Sequence, residues 1–245
     1  LFGLLLGYTL VVGPTLFILG LSTETIGFMA TNFLRMLTWT DPIESTGFVE
    51  SWTVFYWAWW LAFAPVVGTF VARISRGRSI RQVILGMTVL GSAGCWISFF
   101  VLGNYALFLE LESLMPVSDI LAEAGMSVAT AKIVASLPAS TLALVTLAVV
   151  GIVSAATSYD SASYTIAATV THELHADDDP GRAHRLFWAL VLGTLPLFML
   201  FVGGLQIIRL ASLLASFPIL FVAVAMAVSL TRSLRADERS SRPPT

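Results

Sequence analysis

The sequence predicts an all-α integral membrane protein, and three observations carry that class. Hydrophobic residues make up 57% of the chain and charged residues only 11%, against roughly 25% charged in a soluble domain. The apolar residues fall in uncharged runs near the ~20 residues that a bilayer core requires. The arginines gather beside alternate runs, the bias found on the inner side of a membrane. The net charge of −2 carries little information about partners, and no nucleic-acid partner is expected. The single cysteine, Cys95, lies in an apolar run, which excludes a disulfide framework and offers no metal motif.

About six transmembrane helices are expected, over 2–20, 54–72, 83–102, 142–169, 186–208 and 210–231. The first begins at Leu1 with neither methionine nor a basic region, so it reads as part of a chain already under way rather than as a signal peptide. Pro14, Pro65, Pro196 and Pro218 fall inside spans. Membrane bundles tolerate such prolines because neighbouring groups satisfy the freed carbonyls. Between the first two spans, Ile26, Met29, Ala30, Phe33, Leu34 and Leu37 repeat at helical spacing after Ser22-Thr23. This predicts an interfacial amphipathic helix over 23–39, too short to cross. The segment 104–138 predicts a short helix or two, broken at Pro116, Gly125 and Pro138.

Orientation follows from the arginines. Arg73, Arg76, Arg78 and Arg81 flank one short loop, Arg182 and Arg185 another, and Arg232, Arg235, Arg239 and Arg242 follow the last span. The opposite side holds Arg35, Lys132 and Arg209. The asymmetry places 21–52 and 104–138 outside, the first span running outward, and a short tail, 232–245, in the cytoplasm. The expected location is the cell's inner (plasma) membrane, crossed several times.

Three pieces of sequence could carry chemistry. In Trp52-Thr-Val-Phe-Tyr-Trp-Ala-Trp-Trp-Leu-Ala-Phe63, three of the seven tryptophans fall within four residues. Indole is the best side chain for holding a cation on its π face. Its natural partner here is a quaternary ammonium or sulfonium group, whose charge hydrogen bonds cannot satisfy. Trp60 lies one turn from Trp57 and from Phe63, while Trp59 points about 100° away on a regular helix. The competing explanation is an aromatic belt at the membrane surface, which suits Trp52 and Tyr56 near the outer end.

The second piece is Ser154-Ala-Ala-Thr-Ser-Tyr-Asp-Ser-Ala-Ser-Tyr-Thr165. Ser154, Ser158, Ser161 and Thr165 form one hydroxyl stripe, a pattern that by itself means close helix packing. Asp160 raises the stakes, since an ionisable residue within a span is a functional candidate by default. Thr157 and Ser158 offer hard oxygen ligands that, with backbone carbonyls, suit an alkali cation in a helix bundle. Asp160 alternatively caps a local break or pairs with a partner outside this chain.

The third piece, Ala72-Arg-Ile-Ser-Arg-Gly-Arg-Ser79, reads as a tight cytoplasmic turn in which Gly77 supplies backbone freedom. Its arginines could bind a nucleotide or an anionic lipid, though topology accounts for them. Thr171-His-Glu-Leu-His175 lacks the His-Glu-x-x-His spacing of a zinc site, so no metal beyond sodium and no cofactor are expected. The spans show no nucleophile–base pair, and an enzyme is not expected.

The string Trp-Thr-Val-Phe-Tyr-Trp-Ala-Trp-Trp, followed by Ala-Arg-Ile-Ser-Arg-Gly-Arg, closely resembles the betaine/choline/carnitine transporter family. Thr40-Asp-Pro42 and Thr157-Ser-x-Asp-Ser161 resemble it too, in the right order, and the likeness extends over essentially the whole chain. The resemblance implies a LeuT-like inverted-repeat transporter fold of twelve spans, of which this chain is the C-terminal half. Residues 1–235 would be the transporter fragment: the last span of the first repeat, a periplasmic helix at 23–39, and the complete second repeat at 52–231. It also implies a homotrimer.

Carried over residue by residue, Trp57, Trp59, Trp60 and Phe63 fall on the family's substrate-box positions. The last is usually Trp, or Tyr in carnitine exchangers, so Phe63 keeps a π face and drops the polar edge. Thr157 and Ser158 match side-chain sodium ligands, with the Ser154 carbonyl at a third ligand's position. Sodium-independent exchangers carry methionine where this chain has Val67, and lack the Thr-Ser pair. The expectation is a sodium-coupled importer of a quaternary-ammonium or sulfonium osmoprotectant such as glycine betaine, choline or carnitine, working by alternating access. The alternatives are a sodium-independent exchanger, a proton-coupled choline carrier in which Asp160 titrates, and an osmotic or onium-solute sensor. The short tail gives no support to osmotic regulation.

Overall fold

A computed structural model describes residues 1–171 and 179–240, and every regular element among them is helical. In chain order these are α1 (Phe2–Val12), α2 (Thr15–Thr38), α3 (Phe55–Ile74, entered through a π-helical turn at Val49–Val54), α4 (Ile80–Leu111), α5 (Val117–Ala135), α6 (Ser140–Val170) and α7 (Arg182–Ser240). Five stretches are long and apolar enough to cross a bilayer: Thr15–Thr38, Val49–Ala72, Ile80–Leu111, Ser140–Val170 and Leu210–Arg235. The chain is thus an all-helical, multi-pass membrane protein.

Three boundaries differ from expectation, each for a local reason. The first apolar run breaks at Gly13-Pro14 instead of continuing to residue 20. Pro14 has no amide hydrogen to donate, and it pushes the preceding residue toward extended backbone; Gly13 sits there at φ −78°, ψ −170°. Ser22-Thr23, expected to start a separate helix over 23–39, lies inside α2. Their hydroxyls donate back to the carbonyls of Ile18 (2.6 Å) and Leu19 (2.9 Å), as a continuing helix allows. The expected spans 186–208 and 210–231 both lie in the single helix α7. Only Arg209 separates them, whereas a helix–helix connection usually takes about 2–8 residues.

The chain divides into two compact units. The first is Leu1–Thr38 with Gly77–Ser158. Its core gathers Leu5 of α1, Ile18 of α2, Tyr105 and Leu109 of α4, Val134 of α5, and Leu137 and Ala143 around the start of α6. Polar pins cross this core. Asn104, buried, donates to Ser22 Oγ (3.0 Å) and to the Ile18 carbonyl (3.3 Å). Tyr105 Oη and Ser136 Oγ are 2.9 Å apart, and Tyr8 donates to the Pro138 carbonyl. Inside α5 the chain breaks at Gly125, with φ 81° and ψ 172°, as the glycine there predicts. At the start of α4, Ser79 Oγ accepts from the Gln82 amide while Gln82 Oε1 accepts from the Ser79 amide. This reciprocal cap follows the turn that Gly77 makes at φ 79°.

The second unit is Trp39–Arg76 with the described part of Tyr159–Thr245. Here α3 packs against α7. The connection ahead of α3 is tied by Asp41, whose buried carboxylate accepts from the Thr46 amide (2.6 Å) and hydroxyl (2.5 Å). The helix α6 contributes Ser140–Ser158 to the first unit and its remaining turns to the second.

Candidate functional site

Most of the aromatic residues of the first turns of α3 and the segment leading into it sort into two rows set by four-residue spacing. Residues four apart are surface neighbours on a helix. One row runs Phe55, Trp59, Phe63: Trp59 lies 5.8 Å from Phe55, tilted by 54°, and 5.3 Å from Phe63 with planes 19° apart. The other runs Phe48, Trp52, Tyr56, at 6.4 Å and 5.9 Å, and is extended by Trp39 against Phe48 at 5.6 Å. Pro65 lies inside α3, where it removes one backbone donor without ending the helix.

The structure brings together Trp59 and Phe63, and it leaves Trp57 and Trp60 apart from them. Among the described residues neither Trp57 nor Trp60 stacks on another ring, and they are 74% and 63% exposed. Their indole faces are therefore open on the helix surface. Phe55 was not among the expected site residues, although its four-residue spacing to Trp59 was legible. The stack also limits what the pair can do. Rings at 5.3 Å and nearly parallel have no room between them for an onium group. A cation within about 6 Å of a ring centroid must therefore lie beside the pair or over an outer face.

On α6, Thr157 and Ser158 are exposed, and their hydroxyls donate to the carbonyls of Val153 (2.8 Å) and Ser154 (3.0 Å). Each hydroxyl oxygen keeps acceptor capacity when it donates its own hydrogen. Ser158 Oγ and the Ser154 carbonyl thus form an oxygen pair 3.0 Å apart. A hard cation can reach both, at the roughly 2.3–2.6 Å typical of calcium–oxygen contacts, once the Ser158 hydroxyl turns its hydrogen out of that bond. Further along α6, Thr165 of the same stripe is buried, as are Ser163 and Ala167 on other faces. The small residues there serve packing, while those at 154–158 remain open.

Asp160 has its partner within the chain. Arg185 Nη2 donates to Asp160 Oδ1 at 2.9 Å, across 25 residues of sequence. The spacing of the sequence gives no sign of this pair. Among the described residues no group of three or more His, Cys, Asp or Glu side chains could hold a metal ion. The run from His172 to His175 lies outside the described residues. Two grooves in the first unit, one lined by Leu4, Tyr8, Leu142 and Thr146 and the other by Phe99, Asn104, Glu110 and Ser118, contain none of the expected binding residues.

Comparison with known proteins places these features in a wider setting. Residues 1–239 match the family described as BCCT, betaine/carnitine/choline family transporter. The chain is 38% identical over 229 residues to the uncharacterized transporter YeaV of Escherichia coli K12, an alignment covering 93% of this chain and 48% of that protein. It is 36% identical over 231 residues to a carnitine transporter of Acinetobacter baumannii, covering 94% of this chain and 42% of that protein. The chain spans about half the length of the curated relatives it matches.

Proposed function

This chain belongs to the betaine/carnitine/choline transporter family, whose members are transporters rather than enzymes, and on that premise we propose that it forms the C-terminal half of a sodium-coupled importer of a quaternary-ammonium solute. Glycine betaine, choline and carnitine are the candidate substrates. The observation that carries the reading is the aromatic face of α3, where Trp59 stacks on Phe63 beside the open indoles of Trp57 and Trp60. Trp59, Trp60 and Phe63 cage the onium head from one side, with Trp57 nearby along its path. The opposite wall belongs to the half of the relatives that this chain does not align with.

Thr157, Ser158 and the Ser154 carbonyl are the proposed sodium ligands. The support is chemical: hydroxyl and carbonyl oxygens alone, with Ser158 Oγ and the Ser154 carbonyl held 3.0 Å apart. Sodium and solute bound near the midplane favour one orientation of the repeats, and their release favours the other, which is alternating access in a LeuT-like inverted-repeat fold. We place the protein in the inner membrane as a homotrimer, with its C-terminus in the cytoplasm.

Uptake by the full-length protein in proteoliposomes tests this reading. Labelled betaine, choline or carnitine should accumulate only with an inward sodium gradient, and Trp60→Ala should abolish accumulation while the protein still reaches the membrane. Accumulation of none of the three solutes, or uptake unchanged by Trp60→Ala, would refute it. Counterflow in sodium-free buffer that matches counterflow with sodium would favour an exchanger instead.

A further inference from the structure

The first unit carries a groove that the proposed function leaves unused. Its lining comes from α4 and the start of α5, all within that unit. Phe99, Leu107, Val117 and Leu121 supply apolar walls, and Glu110 and Ser118 supply a polar end. Its volume of about 480 Å³ falls within the roughly 300–1,000 Å³ of small-molecule sites. Two features of α4 leave it open. The helix widens into a π-helical turn at Phe99–Gly103, a distortion frequent at functional sites. Gly103 also contributes no side chain, and a Cβ built there meets no atom within 4 Å.

The groove is oriented along the bilayer normal's polarity gradient. The helix α4 runs for 32 residues from Ile80 to Leu111, about 48 Å at the helical rise, against a hydrocarbon core of about 30 Å. Its first turn is anchored by Arg81, so its last turns pass out of the hydrocarbon at the other side. Phe99 lies within the apolar run 83–102, and Glu110 stands about 16 Å further along the axis. The groove therefore crosses the boundary between hydrocarbon and headgroups, apolar at one end and anionic at the other.

Glu110 is held at that end by α5. Its carboxylate accepts from the Ser118 amide at 3.0 Å and from the Ser118 hydroxyl. These donors are neutral, and among the described residues no Lys or Arg forms an ion pair with Glu110. Glu112 and Asp119, close by in sequence, add to the negative field. An ionised carboxylate has about four acceptor sites, so further donors can join the two from Ser118.

We propose that this groove seats a membrane phospholipid whose headgroup ends in a protonated primary amine, phosphatidylethanolamine being the simplest. The ammonium donates to Glu110, a charge-assisted bond stronger than a neutral one, and the first methylenes of an acyl chain lie along Phe99 and Leu107. An anionic headgroup such as phosphatidylglycerol meets like charge at Glu110. A trimethylated headgroup brings a positive charge and no hydrogen to donate. Neither the solute nor the coupling ion of the proposed function enters this inference.

The test uses the purified full-length protein, delipidated in detergent and mixed with phosphatidylethanolamine, phosphatidylcholine or phosphatidylglycerol of identical acyl chains. Native mass spectrometry counts the lipid retained. The wild type should keep one more phosphatidylethanolamine per chain than Gly103→Leu, whose side chain fills the groove; Ala106→Leu, also in the lining, serves if Gly103→Leu fails to reach the membrane. Glu110→Gln should weaken phosphatidylethanolamine binding about fivefold, the worth of roughly one opposite charge at a membrane surface, and erase the preference over phosphatidylglycerol. Phosphatidylcholine should fall between the two lipids in the wild type. Ser118→Ala removes a hydrogen bond from the loop and keeps the charge, so it should keep the preference.

Equal retention of phosphatidylethanolamine by the wild type and a groove-filling variant overturns the inference, as it would if the rest of the full-length protein covered the groove. So does a wild-type preference for phosphatidylglycerol, or a loss in Ser118→Ala as large as that in Glu110→Gln. None of these measurements involves uptake, so the transport reading and this inference stand or fall separately.

Discussion

Trp59 lies against Phe63 with ring centroids 5.3 Å apart and planes within 19°. Each ring hides one face against the other, so the pair works as a single aromatic slab. Trp60, about 100° around the helix from Trp59, supplies a second surface at an angle to it. Under the proposed function, a quaternary ammonium would meet the slab's edge or outer face on one side and the Trp60 indole on the other.

Phe63 is the proposed box position at which the family resemblance implies a departure from the usual Trp or Tyr. Replacing Phe63 by Leu should weaken competition by an onium solute about 5- to 30-fold, the equivalent of a cation–π contact worth roughly 1–2 kcal/mol. Phe63→Tyr should keep the stack and change the order in which betaine, choline and carnitine compete. Competition against labelled uptake measures both. An unchanged affinity in Phe63→Leu would place the solute away from the slab.

The oxygen pair on α6 makes a separate prediction. Removing the hydroxyls with Thr157→Ala and Ser158→Ala should each raise the sodium concentration needed for half-maximal uptake, with little change in solute affinity at saturating sodium. A sodium titration of initial uptake rates checks this, and an unaltered curve in the double variant would remove these residues from the ion site.

Stability should depend on the buried pin at Asn104. Its side-chain amide donates to Ser22 Oγ and the Ile18 carbonyl in a site where Asn104 is 6% exposed. Asn104→Leu should lower the stability of the first unit by about 1–3 kcal/mol, because it takes the donor from the buried Ser22 Oγ, while the Ile18 carbonyl keeps the Ser22 hydroxyl. Thermal unfolding in detergent measures the loss, which a surface substitution such as Glu123→Gln should not reproduce.

At Gly125 the backbone itself sets the expectation. A Cβ there would meet no atom within 4 Å, yet φ is 81° and ψ 172°. That region is essentially reserved for glycine, and occupying it with another residue costs about 1–3 kcal/mol. Gly125→Ala should therefore destabilise the break in α5 without any steric clash. Faster amide exchange in 117–135 than in α4 would be its signature.

Much of this molecule could be read from composition and spacing. A chain with 57% hydrophobic residues must bury its apolar runs in lipid, and in lipid only helices satisfy every backbone group locally. Gly77 and Gly125 were legible as turn or break positions because their backbone conformations exclude most side chains. The four-residue spacing of Phe55, Trp59 and Phe63 likewise determines that they share a face.

Helix boundaries were less legible, since they depend on competition between local options. Ser22 and Thr23 can cap a new helix or bond back within an old one, and the structure takes the second course. Asp160 shows the limit most clearly. Sequence marks it as a costly charge in an apolar run, but its choice of Arg185, 25 residues away, depends on where the chain sets the start of α7 beside the end of α6. Periodicity and propensity act over one or two turns and are written in the chain itself. Partners across helices arise only when distant turns are brought within hydrogen-bonding reach, and that only the tertiary structure decides.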